Sequence, residues 1–174
     1  MTKAQGNVKD FMKTFGQATP DKPEIPAGSI RALRVKLLLE EVLELAEASG
    51  ISVEDFNGEK LDLKRIQLRA LNNSNNDKVD LVGVADALAD IDYVNQGAAI
   101  AFGLNLEPFS DEVHRSNMTK LWKETELEEA RANFYQITPV GDKYLVKRDD
   151  GKVVKSPSYE QADLKKVLEA QTAV

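Results

Sequence analysis

Cysteine is absent from the 174 residues, which excludes disulfides, thiolate metal sites and cysteine nucleophiles. The single histidine, His114, rules out a His-pair metal site within one chain, and any Ser-His-Asp arrangement would have to use it. His114 is expected to be structural. No run of roughly 18 apolar residues occurs, and the N-terminal MTKAQGNVKDFMKTFG lacks a secretory apolar core, so a soluble, cytoplasmic protein is expected. Basic residues are in deficit too, 23 against 29 acidic, and the net charge of −6 has the wrong sign for binding a nucleic-acid backbone. Neither a membrane nor polymeric nucleic acid is expected as a partner. Chemistry must rest on carboxylates, lysine, arginine and amides.

What is present is a globular composition, 42% apolar and 30% charged, at a length that suits one domain of the usual size, roughly 100–200 residues. Val8, Phe11, Met12 and Phe15 predict a helix over 7–18, stopped by the proline-rich stretch that follows. Ser29 is expected to cap a helix over 30–49 that ends at Gly50. Segment 52–71 is expected to hold a helical turn near Val53–Phe56 and a second helix from Leu61 to Leu71, before an Asn-rich loop over 72–77. A helix over 78–102 ends at Gly103, and another opens at Pro108 and runs to about Trp122. Then the pattern changes. Phe134–Ile137, Lys143–Lys147 and Lys152–Val154 predict a small antiparallel meander, and 160–170 a closing amphipathic helix. The expected fold is mainly α: a four-to-five-helix bundle over 1–132, with a small β appendage and closing helix over 133–174 packed on the same domain. Phe11, Met12, Phe15 and Trp122 are expected in the core.

Charge placement on these helices is the informative feature. A helical wheel over 30–48 puts Glu41 and Glu44 in the sector of Ile30, Leu33 and Leu37, while Lys36 and Glu47 lie opposite. Glu40 falls on the border, semi-exposed, where Lys36 can pair with it at i,i+4. Over 78–102, Asp86 and Asp90 share a sector with Val82, Tyr93 and Ile100. On the helix after Pro108, Asn117 and Lys120 interrupt an apolar stripe. Four carboxylates aimed at one interior would repel one another and cost several kcal/mol apiece if uncompensated, which calls for a cation. Oxygen-only ligands suit a hard divalent ion, and Mg²⁺ is usually held by a few carboxylates together with water and substrate phosphates. Lys120, and Arg34 at the edge of the carboxylate face, can then neutralise phosphate oxygens. Two plainer readings stand beside this one. The acids can form a surface or interface salt-bridge network, and Lys120 and Asn117 can be a snorkelling lysine and a capping amide.

Glu40-Glu41-Val42-Leu43-Glu44, followed further along by Asp86-Ala87-Leu88-Ala89-Asp90, resembles the paired acidic motifs of the all-α nucleoside triphosphate pyrophosphatases. This is the MazG-like superfamily, which includes phosphoribosyl-ATP pyrophosphohydrolase and the dimeric dUTPases. The likeness extends to Val8-Lys9-Asp10-Phe11 with Phe15-Gly16, to Leu33-Arg34, to the run from Val113 to Lys120, and to the tail Asp150–Lys155. The resemblance implies Mg²⁺-dependent hydrolysis of a nucleoside triphosphate to the monophosphate and pyrophosphate, with Mn²⁺ as an alternative ion. It places Glu41, Glu44, Asp86 and Asp90 on the metal and Glu40 near the attacking water. Lys120, Asn117 and Arg34 become contacts to phosphate or sugar, and a homodimer or homotetramer is implied. One position departs from the pattern: three residues before Asp90 stands Ala87, so Asp86 takes the acid's place from one residue further back. A metal- and nucleotide-binding module without turnover, or a helical interaction protein, are the competing readings.

Overall fold

A computed structural model describes residues 1–62, 66, 68 and 79–172. Among them the protein is mainly helical, with six α-helices, the last of which closes the chain after one two-stranded antiparallel sheet. The helices are α1 (Lys3–Thr14), α2 (Gly28–Ala48), α3 (Leu81–Ala101), α4 (Leu106–Met118), α5 (Leu127–Ala132) and α6 (Leu164–Thr172). The strands are β1 (Gln136–Val140) and β2 (Lys143–Lys147). Two compact units emerge, one of residues 22–88, the other of 1–21 with 89–174.

In the second of these units, β2 is the organising element. β1 pairs with it from Gln136↔Lys147 to Val140↔Lys143, around a two-residue Gly141-Asp142 turn. On its other edge Tyr144 exchanges backbone bonds with Trp122, at 2.8 and 2.9 Å. Because both polar groups of Tyr144 point towards Trp122, Pro139 can sit opposite it in β1 without an N–H to offer. Successive residues of a strand face opposite ways, and β2 uses both faces. Leu145 packs with Phe15 and Leu121, with Phe11 and Met118 alongside. Val146 packs with Trp122, Leu127 and Ala130. Trp122 and Phe15 are thus core residues as expected, while Phe11 and Met12 are half-buried.

Several boundaries differ from the sequence reading, each for an identifiable reason. α1 starts earlier because Thr2 Oγ1 accepts the Gln5 N–H at 3.2 Å, and it ends before Phe15. Ser29 does not cap α2; it lies in the first turn after Ala27, where Arg31 reaches back to the Pro26 carbonyl at 2.9 Å. Val53–Phe56 forms no helical turn: Asp55 Oδ1 takes the N–H groups of Asn57 and Glu59, and Glu54 bridges to Lys60. The helix expected from Leu61 to Leu71 and the loop after it lie, apart from Leu61, Asp62, Ile66 and Leu68, outside the described residues. Gly50 and Gly103 do close α2 and α3, at φ of +74° and +70°, a region costly for any residue with a Cβ. α4 is capped by Asn105, with Pro108 inside its first turn, and it stops at Met118 rather than Trp122. Lys152–Val154 adds only a single bridge, Lys147↔Val153, so the meander is a hairpin with one extra rung.

Candidate active site

α2 carries the acidic motif on a helix with no buried residue. Lys36 Nζ lies 3.5 Å from Glu40 Oε1, the expected i,i+4 pair, and Glu40 is half-buried. Glu41 and Glu44 are exposed, and they face different clefts within the unit of residues 22–88. Glu40 and Glu44 line a cleft of about 590 Å³ with Lys36, Glu47 and Lys60. Glu41 lines another, of about 370 Å³, with Arg34, Leu37, Leu38 and Leu88. Leu88 belongs to α3, two residues after Asp86.

Asp86 and Asp90 stand one helical turn apart on α3 and are exposed in the single chain. The inward orientation read from the wheels therefore does not amount to burial within one chain. The apolar side chains sharing those faces are exposed as well, Leu33 at 47% and Val82 at 80%. Among the described residues no group of three or more His, Asp or Glu side chains is arranged to hold a metal ion. Glu41, Glu44, Asp86 and Asp90 make no side-chain hydrogen bond or ion pair with any described residue, as is also true of acids outside the two motifs such as Asp92 and Glu128, whereas Glu40, Glu47 and Glu112 are paired. Carboxylate oxygens are the donor type that a hard divalent cation takes, although Lys36 and Lys60 line the cleft of Glu44 and Arg34 that of Glu41.

Asn117 and Lys120 belong to the unit of residues 1–21 and 89–174. Asn117 is in the last turn of α4, and Lys120 follows the C-cap Thr119, not on the helix as the periodicity predicted. Lys120 Nζ donates to Asn117 Oδ1 at 2.7 Å and lies 5.6 Å from the centre of the Phe11 ring. Burial pushes the Lys120 ammonium below its ordinary value, and the nearby Lys155 charge pushes the same way. His114 is half-buried on the same helix and helps to hold the Asp111 carboxyl down, after the larger contribution of Lys3. Lys155 and Tyr159, which stand close to Lys120, were not singled out by the sequence reading; no local spacing links them to α4, and Lys155 appeared only within the tail run.

The helical fold with its two acidic segments is that of the MazG-like, all-α nucleoside triphosphate pyrophosphatase superfamily. The phosphoribosyl-ATP pyrophosphohydrolase family model matches residues 8–117, well over half of the chain, and the protein belongs to that family of hydrolases. A crystal structure from Exiguobacterium sp. 255-15, named provisionally as an NTP pyrophosphohydrolase, is similar over 99% of this chain and 95% of its own, at 23% identity and a TM-score of 0.60. At that identity the likeness speaks for the fold. A comparison with curated proteins gives no match. Among the described residues no helix is long and apolar enough to cross a membrane.

Proposed function

We propose that the protein is a Mg²⁺-dependent nucleoside triphosphate pyrophosphohydrolase, converting an NTP or dNTP to the monophosphate and pyrophosphate. The observation that carries this reading is the set of four carboxylates on α2 and α3 that have no partner among the described residues, in a chain whose family splits phosphoanhydride bonds. Glu41, Glu44, Asp86 and Asp90 would hold the metal, with Mn²⁺ as an alternative. Bound there, Mg²⁺ would supply charge stabilisation for the phosphoryl oxygens and a more acidic water. Glu40, fixed by Lys36, orients the water or accepts its proton. Lys120 and Asn117 grip phosphate or sugar, and Arg34 is a further contact to the same chain. In the overall reaction one water is consumed and the bond between the α- and β-phosphates breaks. Its OH ends on one fragment and its proton on the other or in solution, and no covalent enzyme intermediate is needed.

The active form is a homodimer or homotetramer. α2 exposes Leu33, Val42 and Leu45, and α3 exposes Val82, Leu88 and Val94, all between 45% and 80% accessible. Apolar side chains left this exposed along helices point to an interaction face. A second copy covering it would also shelter the carboxylates that share those helices. Incubation with each NTP and dNTP plus Mg²⁺, with identification of monophosphate and pyrophosphate, tests the reading. No turnover of any of them overturns it. Nucleotide binding without product would favour the alternative of a regulatory module, which the displacement of the acid from position 87 to Asp86 makes the relevant competitor.

A further inference from the structure

We propose that Lys155 and Tyr159, from the segment between the hairpin and α6, join Lys120 and Asn117 in one cluster that binds the phosphate chain of the nucleotide. The inference rests on the pyrophosphohydrolase reading for the identity of the ligand, but the cluster is defined by its own geometry.

Lys155 Nζ sits 4.3 Å from the centre of the Tyr159 ring, a cation–π contact. The Tyr159 hydroxyl is 3.1 Å from Ser116 Oγ, one helical turn before Lys120. Neither Lys120 nor Lys155 has a carboxylate partner among the described residues, in a chain that carries 29 acidic residues. Two neighbouring ammonium groups repel each other, and with no acid supplied by the described residues the arrangement is suited to an exogenous anion. The Tyr159 phenol feels the same field. Its proton is held less tightly than usual, first through Ser116 and then through the charges of Lys155 and Lys120.

The backbone around Lys155 is fixed in advance of any ligand. Val154 on one side accepts from Trp122 Nε1 at 3.0 Å. On the other, buried Ser156 donates from Oγ to the Thr119 carbonyl at 2.8 Å. Beyond it, the Glu160 N–H donates to Thr119 Oγ1 at 3.0 Å, and the Glu160 carbonyl lies 2.8 Å from Ser116 Oγ. The segment is thus stitched to the C-terminal end of α4, which carries Asn117 and leads into Lys120. A side chain whose backbone is already ordered loses less entropy on binding, so its charge is more effective towards an anion.

The test uses the full chain and inorganic tripolyphosphate without Mg²⁺, titrated calorimetrically at low salt, together with nucleotide turnover. Lys155→Gln should weaken tripolyphosphate binding about tenfold, the loss of one charge-assisted contact, and Lys155→Arg should restore most of it. Lys165→Gln, on the exposed face of α6, should change nothing. In turnover, Lys155→Gln should raise KM by a similar factor with kcat nearly unchanged. Equal tripolyphosphate affinity in wild type and Lys155→Gln overturns the cluster. Unchanged KM in an active Lys155→Gln enzyme also overturns it and leaves the pyrophosphohydrolase reading standing. Weakened tripolyphosphate binding in a protein that turns over no nucleotide supports the cluster and overturns that reading instead.

Discussion

Replacing Trp122 by phenylalanine should destabilise the unit of residues 1–21 and 89–174 by about 2–5 kcal/mol. The indole is 1% exposed and packs with Leu127, Ala130 and Val146. Its Nε1 donates at 3.0 Å to the Val154 carbonyl. Losing the donor leaves that carbonyl without its indole partner, at about 1–3 kcal/mol. The smaller ring leaves a void against Leu127, Ala130 and Val146, which adds about 1–2 kcal/mol. Urea unfolding followed by far-UV circular dichroism measures the sum. Trp122 is the sole tryptophan, so its fluorescence reports this unit alone in the wild type. Trp122→Phe should also increase amide exchange over 153–156, since the indole anchors that segment. A variant within about 0.5 kcal/mol of wild type would show that the indole is not the buried anchor described here.

Phe15→Ala should cost about 3–5 kcal/mol in the same assay, because Phe15 is fully buried and stacked on Phe11 with centroids 4.2 Å apart. Glu112 accepts from Arg115 and from the Asp163 N–H, which hold its carboxyl at about 2 against an ordinary 4.5. A depressed acid stabilises the fold fully above its unfolded value and loses that contribution as pH falls through its folded one. Glu112→Gln should therefore lower the urea midpoint at neutral pH, and the gap from wild type should close between pH 4.5 and about 2. A gap that stays constant to pH 2 would refute the linkage. If Glu41 and Asp90 hold metal, saturating Mg²⁺ should raise the wild-type melting temperature, with about 2.7 kcal/mol available at a hundredfold excess over Kd. Glu41→Gln and Asp90→Asn should reduce that rise. Equal Mg²⁺ shifts in all three proteins would remove these residues from the metal set.

What was legible in the sequence was whatever short-range physics decides. The Lys36–Glu40 pair follows from helical spacing alone, and Gly50 and Gly103 end their helices because the next φ must be positive. Lys143–Lys147 is a strand at its expected limits, since its alternation is local. The misreadings fall where a distant partner overrides the local pattern. Leu121 and Trp122 continue the apolar periodicity of α4, yet the chain leaves the helix at Thr119 because Trp122 pairs with Tyr144 across the sheet. Asp55 has the same effect on a smaller scale, diverting N–H groups that a helical turn would have used. α5 had its own signals, Glu128 and Glu129 in the first turn and Arg131 in the last, but at six residues it is too short for a periodicity argument to register.

The same division explains the site. Glu41, Glu44, Asp86 and Asp90 were findable because each pair lies within one helical turn, and spacing within a helix is a sequence property. Whether the two pairs converge depends on what covers the apolar faces that carry them, and within this chain those faces are exposed. A wheel assigns residues to a common face; it does not say whether that face is buried by the same chain or by a copy. The wheel reading of burial therefore fails for the single chain, while the four carboxylates it selected have no partner among the described residues. These statements are compatible if the bundle is completed by association. The oligomer is then where the carboxylates acquire their low-dielectric surroundings, and dilution below the dissociation constant should abolish turnover before it unfolds the helices. Activity that stays proportional to protein concentration through dissociation, followed by sedimentation velocity at the same dilutions, would show instead that one chain suffices.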